Sequence, residues 1–173
     1  MIKILLADDE TDSRDAIVQY IDWEGHGLEL VGAAGDGAEA LEMIKTRKPD
    51  IAILDIYMPK LSGIQVIERC RREMPDAPAF IIISGYNDFG CAQQAIRLKV
   101  EEYLLKPFLA RELMDAVQRA LLQVELRRGG APGDFVSSCS PASRSRPARR
   151  TGATPWSWSA GYSTPSPSAA ART

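Results

Sequence analysis

Ile51-Ala52-Ile53-Leu54-Asp55 decides the fold of this chain. Four apolar residues, two of them β-branched, run directly into a carboxylate. Tyr57, Met58, Pro59 and then Gly63 break the run. A strand with one wet face alternates polar and apolar residues. A short continuous apolar run bounded by turn residues is instead the pattern of a strand buried on both faces. Asp55 is thereby placed at the carboxyl end of that strand, the edge where open α/β sheets hold ligands. A lone strand-end Asp usually closes a turn or caps a helix. Three further polar clusters in this chain argue for chemistry.

Outward from that strand, the same unit repeats. Ile2 to Ala7 reads as a buried first strand ending in Asp8-Asp9-Glu10. Ile17, Tyr20 and Ile21 share one face of a helix over 13–21, followed by a loop over 22–27. Leu28 to Ala33 is a second strand. Asp36 with Glu39 has the spacing of a capping box and opens a helix to about Arg47. Ser62 with Gln65 opens another helix, to about Glu73. Ala79 to Ser84 is a fourth strand. Ala92, Ala95, Ile96 and Val100 stripe a helix near 88–99. Glu102 to Leu105 is a short fifth strand ending at Lys106-Pro107. Leu113, Val117, Ala120, Leu121 and Val124 stripe a last helix to about Arg128.

Strand followed by helix, five times over, implies α/β architecture: a doubly wound, five-stranded parallel sheet covered on both faces. Right-handed crossovers leave a few topologies, of which one common order is 2-1-3-4-5. In that flavodoxin-like order Asp8 and Asp9 fall beside Asp55.

Composition narrows the function classes. Of the 173 residues, 45% are hydrophobic and the net charge is −2. Residues 129–173 carry five Arg and one Asp, which leaves −6 for residues 1–128. An acidic domain is poorly built to grip nucleic acid, and its charge suits a metal cation or a solvated surface. Cys70, Cys91 and Cys139 are odd in number and widely spaced, so neither a disulfide framework nor a zinc site follows. Reduced thiols in a cytoplasm are expected. No apolar run approaches the roughly 18 residues of a membrane span, so no membrane association is expected.

After Arg128 the residue usage changes abruptly. Residues 129–173 hold ten Ser, eight Ala, six Pro, five Gly and five Arg, without apolar periodicity. Such a segment buries too little surface to offset its ordering entropy, and is expected to be a disordered, low-complexity tail. The same residue types are what GC-rich codons give when read out of frame. A frameshifted or truncated output region is therefore one origin of the tail.

The strand ends now carry Asp8 and Asp9, Asp55, Ser84 and Lys106, all on one edge of the sheet. Singly, Ser84 reads as a helix cap and Lys106 as a surface lysine beside a turn. Jointly they make a site. Two like charges about 4 Å apart cost roughly 4 kcal/mol at an effective dielectric of 20, so the three carboxylates need cations. Lys106 supplies one positive charge, and a hard divalent ion such as Mg²⁺ suits the remaining oxygens. A carboxylate in such a place can act as nucleophile and carry a phosphoryl group, with metal and lysine balancing its charge.

The combination Ala7-Asp8-Asp9-Glu10, Leu54-Asp55-Ile56-Tyr57-Met58-Pro59 with Gly63, Ile83-Ser84-Gly85-Tyr86 and Tyr103-Leu104-Leu105-Lys106-Pro107-Phe108 closely resembles a response-regulator receiver domain of two-component signalling. The resemblance covers residues 1–128. It implies that Asp55 is the phosphoacceptor, phosphorylated by a sensor histidine kinase. It implies Mg²⁺ bound by Asp9, by Asp8 through water, by Asp55 and by the main-chain carbonyl of Tyr57. Lys106 would contact the phosphoryl group. Ser84 and Tyr103 would form the switch pair, the hydroxyl moving to the phosphoryl group as the ring turns inward. The Lys106–Pro107 bond would be cis. The face made by the fourth helix, fifth strand and fifth helix would support a phosphorylation-dependent homodimer. The implied protein is a cytoplasmic signalling switch, not an enzyme beyond its own phosphorylation and dephosphorylation.

A narrower similarity joins Ile21-Asp22-Trp23-Glu24-Gly25-His26-Gly27 and Ser84-Gly85-Tyr86-Asn87-Asp88-Phe89 to receivers that precede AraC-type DNA-binding domains. Two helix-turn-helix units need roughly 100 patterned residues, and 45 unpatterned ones follow residue 128, so nucleic-acid binding by this chain is not expected. Trp23 and His26 then read as loop packing. Three other readings compete. A truncated DNA-binding transcriptional regulator would rely on the Arg-containing tail, which supports only weak nonspecific contact. An Mg²⁺-dependent phosphotransferase or phosphatase of the haloacid-dehalogenase kind needs an Asp where Tyr57 stands. A flavin carrier needs a phosphate loop where Asp8-Asp9-Glu10 would repel one. Tyr57 and Tyr86, each two residues past a site residue, either screen the approach of hydrolytic water or lie flat on the surface.

Overall fold

The computed structural model describes residues 1–85, 89–127 and 129, with the backbone alone at residue 89. Among these residues five strands, β1 (Ile2–Ala7), β2 (Leu28–Ala34), β3 (Ile51–Asp55), β4 (Ala79–Ser84) and β5 (Glu102–Leu105), alternate with five α-helices. The helices are α1 (Thr11–Tyr20), α2 (Gly37–Arg47), α3 (Gly63–Glu73), α4 (Phe89–Arg97) and α5 (Ala110–Arg127). The strands form one sheet in the order β2-β1-β3-β4-β5, and every pairing is parallel. The flavodoxin-like doubly wound reading is therefore the observed fold. Every residue of β3 and of β4 is buried, as their unbroken apolar runs require.

The sheet divides the core by side-chain parity. Ile4, Leu6, Ile51, Ile53, Ile81 and Ile83 face α1 and α5. Leu5, Ala7, Ala52, Leu54, Phe80 and Ile82 face α2, α3 and α4. Removing each such Ile, Leu or Phe side chain from water stabilises the fold by roughly 1.5–3 kcal/mol. On α5, Leu113, Val117, Ala120, Leu121 and Val124 are all buried, in the stripe predicted from their spacing.

Local readings need four corrections. Helix α1 begins at Thr11, two residues before the predicted start, and Tyr20 is exposed. Its inward row is Ser13, Ile17 and then Ile21, spaced by four. Asp36 does cap α2, accepting from the Ala38 and Glu39 amides. Glu39, however, accepts from the Gly35 amide, so the reciprocal half of a capping box is absent. The Ser62–Gln65 box is complete. On α4, Ala95 is buried but Ile96 is 75% exposed, because adjacent helical positions lie about 100° apart and cannot both face the sheet. The predicted loop over 22–27 contains a 3-10 turn at Glu24–His26, and Trp23 is buried in the core, so its reading as packing holds. The predicted tail beyond Gly129, and Tyr86, Asn87 and Asp88, lie outside the described residues. Among the described residues no helix is long and apolar enough to cross a membrane.

Candidate functional site at the carboxyl edge of the sheet

Side-chain parity brings the site together. Asp8 lies two residues past Leu6, Asp55 two past Ile53, and Lys106 two past Leu104. Leu6, Ile53 and Leu104 all belong to the α1/α5 side of the sheet. Successive side chains alternate faces, so the three polar residues continue that same side just where the strands end. The Lys106 ammonium donates to Asp55 Oδ2 at 2.6 Å and to Asp8 Oδ2 at 2.8 Å. It also approaches Glu10 Oε2 at 3.7 Å. Asp8 is fully buried and Asp55 is 5% exposed, whereas Asp9 is exposed.

Further bonds fix each carboxylate. Asp8 Oδ1 accepts from the Glu10 amide at 3.0 Å, and Oδ2 accepts from Ser13 Oγ at 2.8 Å. Arg14 Nη1 donates to the Asp8 carbonyl at 2.7 Å. Asp55 Oδ1 accepts from the Tyr57 amide at 2.9 Å, which leaves Oδ2 to Lys106. Ser13 and Arg14 were missed by sequence reasoning. Their signal was a polar residue, Ser13, standing four positions before Ile17 on the helix face that turns inward.

Burial pushes the Asp55 carboxyl above its ordinary value, and the nearby Asp8 charge adds to this. The Lys106 and Tyr57 hydrogen bonds oppose the rise without cancelling it. For Lys106, burial disfavours the ammonium, but the bonds to Asp55 and Asp8 prevail and its pKa is raised. Desolvation thus makes a charged Asp55 costly even with a lysine on it, the condition that a further cation would relieve.

One oxygen from each of Asp8, Asp9 and Asp55 can lie within 4.8 Å of the others. An all-carboxylate set suits a hard divalent cation with its own waters. The residues present fit such an ion: two carboxylates are buried and hydrogen-bonded into position, and a third faces solvent.

The remaining predicted residues stand nearby. Asp55 pairs with Ile83, so Ser84 follows one step further along the adjacent strand. Ser84 is fully buried, and its carbonyl accepts from the Lys106 amide at 2.7 Å. Ser84 pairs with Leu105 and Ile82 with Tyr103, which puts Ser84 and Tyr103 on the same side of the sheet, the side of α2, α3 and α4. The Tyr103 hydroxyl is buried and has no hydrogen-bond partner among the described residues. The Lys106–Pro107 peptide is cis. Tyr57 is 44% exposed and its hydroxyl lies 3.9 Å from Cys91 Sγ on α4.

The family profile described as response regulator receiver domain matches residues 4–118. The chain is 35% identical over 125 residues to the transcriptional regulatory protein YesN of Bacillus subtilis, covering 72% of this chain and 34% of that protein. It is 36% identical over 121 residues to the positive alginate biosynthesis regulatory protein of Pseudomonas aeruginosa, covering 69% of this chain and 47% of that one. The chain thus matches less than half of the length of these relatives. Among solved structures, the REC domain of AraT, a response regulator from Geobacillus stearothermophilus, is 37% identical. It superposes with a TM-score of 0.67, over 73% of this chain and 98% of that one.

Proposed function

The chain belongs to the response regulator receiver domain family, and from that premise we propose that it is a phosphoacceptor switch in which Asp55 takes a phosphoryl group from a sensor histidine kinase. The observation that carries this reading is the Asp8, Asp9 and Asp55 cluster with the Lys106 ammonium between Asp8 and Asp55. The Tyr57 amide holds Asp55 Oδ1, which orients the carboxylate and leaves Oδ2 on the Lys106 side as the nucleophile. As Asp55 Oδ2 bonds to phosphorus, the bond from phosphorus to the kinase's histidine nitrogen breaks and the imidazole leaves, while the Lys106 ammonium transfers its hydrogen bond to the phosphoryl oxygens. Mg²⁺, held by Asp9, Asp55 and the Tyr57 carbonyl with Asp8 through water, would neutralise charge on those oxygens. Ser84 would donate one more hydrogen bond as Tyr103 turns inward. The proposed readout is a phosphorylation-dependent homodimer, or docking on another protein. It is a switch of the cytoplasm, turning over only its own phosphoryl group.

Incubation with acetyl phosphate and Mg²⁺, followed by intact mass, tests the assignment. One phosphoryl group adds about 80 Da, and Asp55→Ala should abolish that gain. A stoichiometric gain that survives Asp55→Ala rejects Asp55 as the acceptor. The elements proposed for self-association carry exposed apolar side chains, Ile96 on α4, Leu105 at the end of β5, and Leu122 and Leu126 on α5, of which a partner surface could cover those that face it. Sedimentation with and without a beryllofluoride phosphoryl mimic should show a heavier species with the mimic. An unchanged monomer rejects self-association.

A further inference from the structure

The loop between Asp55 and α3 does not stand alone. It rests on the first residues of α2, which come from a different part of the chain. The Gly37 amide donates to the Pro59 carbonyl at 3.2 Å. A Cβ on Gly37 would lie 1.8 Å from the Leu61 carbonyl oxygen and 2.7 Å from its carbon. Both are backbone atoms, so no rotamer change can relieve the contact, and only glycine permits this approach. One residue earlier, Asp36 Oδ2 accepts from Lys60 Nζ at 2.6 Å while Oδ1 holds the Ala38 and Glu39 amides. Lys60 stands at φ 67°, in the left-handed region that a non-glycine residue adopts only when its surroundings hold it there.

The other end of the loop is equally fixed. The Gly63 amide donates to the Ile56 carbonyl at 3.0 Å, and a Cβ on Gly63 would lie 2.3 Å from the Asp55 carbonyl oxygen. Between these two close approaches, Leu61 N donates to the Pro59 carbonyl at 2.7 Å. The segment that carries the Tyr57 main chain is therefore clamped between the start of α3 and the start of α2.

We propose that Asp36 and Gly37 are positioning residues for the phosphoacceptor loop: the start of α2 is the template that sets where residues 57–62 lie, and hence the affinity of the acidic site for a divalent cation. The inference rests on the phosphoacceptor reading above. The exposed Asp36–Lys60 ion pair by itself contributes little. The close backbone approach at Gly37 carries most of the effect, with Asp36 aligning the helix start by its cap.

The test measures Mg²⁺ affinity by calorimetry alongside melting temperature and incorporation from acetyl phosphate. Gly37→Ala should weaken Mg²⁺ binding about tenfold, the usual size for a residue that supports metal ligands without touching the ion. Its phosphorylation should be slow at low Mg²⁺ and recover as Mg²⁺ is raised. Ile44→Val, in the buried face of the same helix, should lower the melting temperature and leave Mg²⁺ affinity unchanged. Asp36→Ala should weaken Mg²⁺ binding several-fold, and Asp36→Asn, which keeps an oxygen for the helix amides, should restore most of it. An Mg²⁺ affinity within twofold of the parent in Gly37→Ala overturns the proposal. If Gly37→Ala does not fold, a parent-like Mg²⁺ affinity in Asp36→Ala overturns it. A parent protein that takes up phosphoryl groups while the variants bind Mg²⁺ normally rejects the positioning role alone. A parent that neither binds Mg²⁺ nor gains mass rejects both readings.

Discussion

Replacing Lys106 by Met removes the ammonium that the fold sets between Asp55 and Asp8, and keeps the length of the side chain. The loss can be sized from the contacts. Breaking a buried ion pair by removing one partner costs about 3–5 kcal/mol, because a buried charge is left uncompensated. Lys106 is 18% exposed, and Asp8 retains Ser13 and the Glu10 amide, which moves the expectation down to about 2–3 kcal/mol. Asp55 Oδ2 is the atom left without its donor. Unfolding entropy of about 2.1 cal/mol/K per residue, over the 127 residues to the end of α5, converts this to a fall of roughly 7–11 °C in melting temperature. The assay is thermal unfolding of parent and Lys106→Met in chelator, then in rising Mg²⁺. Mg²⁺ at 100 times its dissociation constant adds about 2.7 kcal/mol to a protein that binds it only when folded. It should help the variant more than the parent, since it supplies charge that the parent already has in part, so the gap should narrow. A variant as stable as the parent in chelator refutes the charge-balance reasoning. A gap that stays constant as Mg²⁺ rises refutes the claim that lysine and cation answer the same carboxylates.

Asp55→Asn should raise the melting temperature of the metal-free protein at pH 7. Its folded pKa is raised, so its protonated form favours folding below about pH 3.8 and that contribution is lost as pH rises through the folded value; at neutral pH the charged form therefore costs stability, and a lower melting temperature for Asp55→Asn would contradict this. Tyr103→Phe removes a buried hydroxyl that has no partner among the described residues, and should stabilise by about 1 kcal/mol, near 4 °C in melting temperature; a fall would show that the hydroxyl is satisfied in solution.

The strands were legible in the sequence because burial on both faces leaves no polar residue in β3 or β4 before its last position, and because charged or turn residues follow each run. The starts of α2 and α3 were legible because Asp36 and Ser62 are true caps. The start of α1 was not. Its N-cap is Glu10, which makes no capping hydrogen bond, and Thr11 and Asp12 are exposed, so neither a cap nor a face marks that boundary. Ile96 misled for the opposite reason: apolar character was present at a position that the register of α4 turns outward. The Asp36–Lys60 contact spans 24 residues and joins the α2 start to the loop after β3. No local pattern encodes it.

The site residues were legible one by one, yet their meeting depends on two facts of different origin. Strand order puts β1 and β3 side by side and β4 next to β3, which brings their carboxyl ends to one place. Parity then sorts what stands there. Asp8, Asp55 and Lys106 continue the α1/α5 side, while Ser84 and Tyr103 lie on the side of α2, α3 and α4. A one-residue shift at the end of β5 would carry Lys106 to the other side of the sheet and leave the carboxylates without it. The main-chain bond from the Lys106 amide to the Ser84 carbonyl fixes that register at the last step before the loop. The acidic site and the hydroxyl side chains that would report on it are thus joined through one backbone hydrogen bond, at the point where the two sides of the sheet meet.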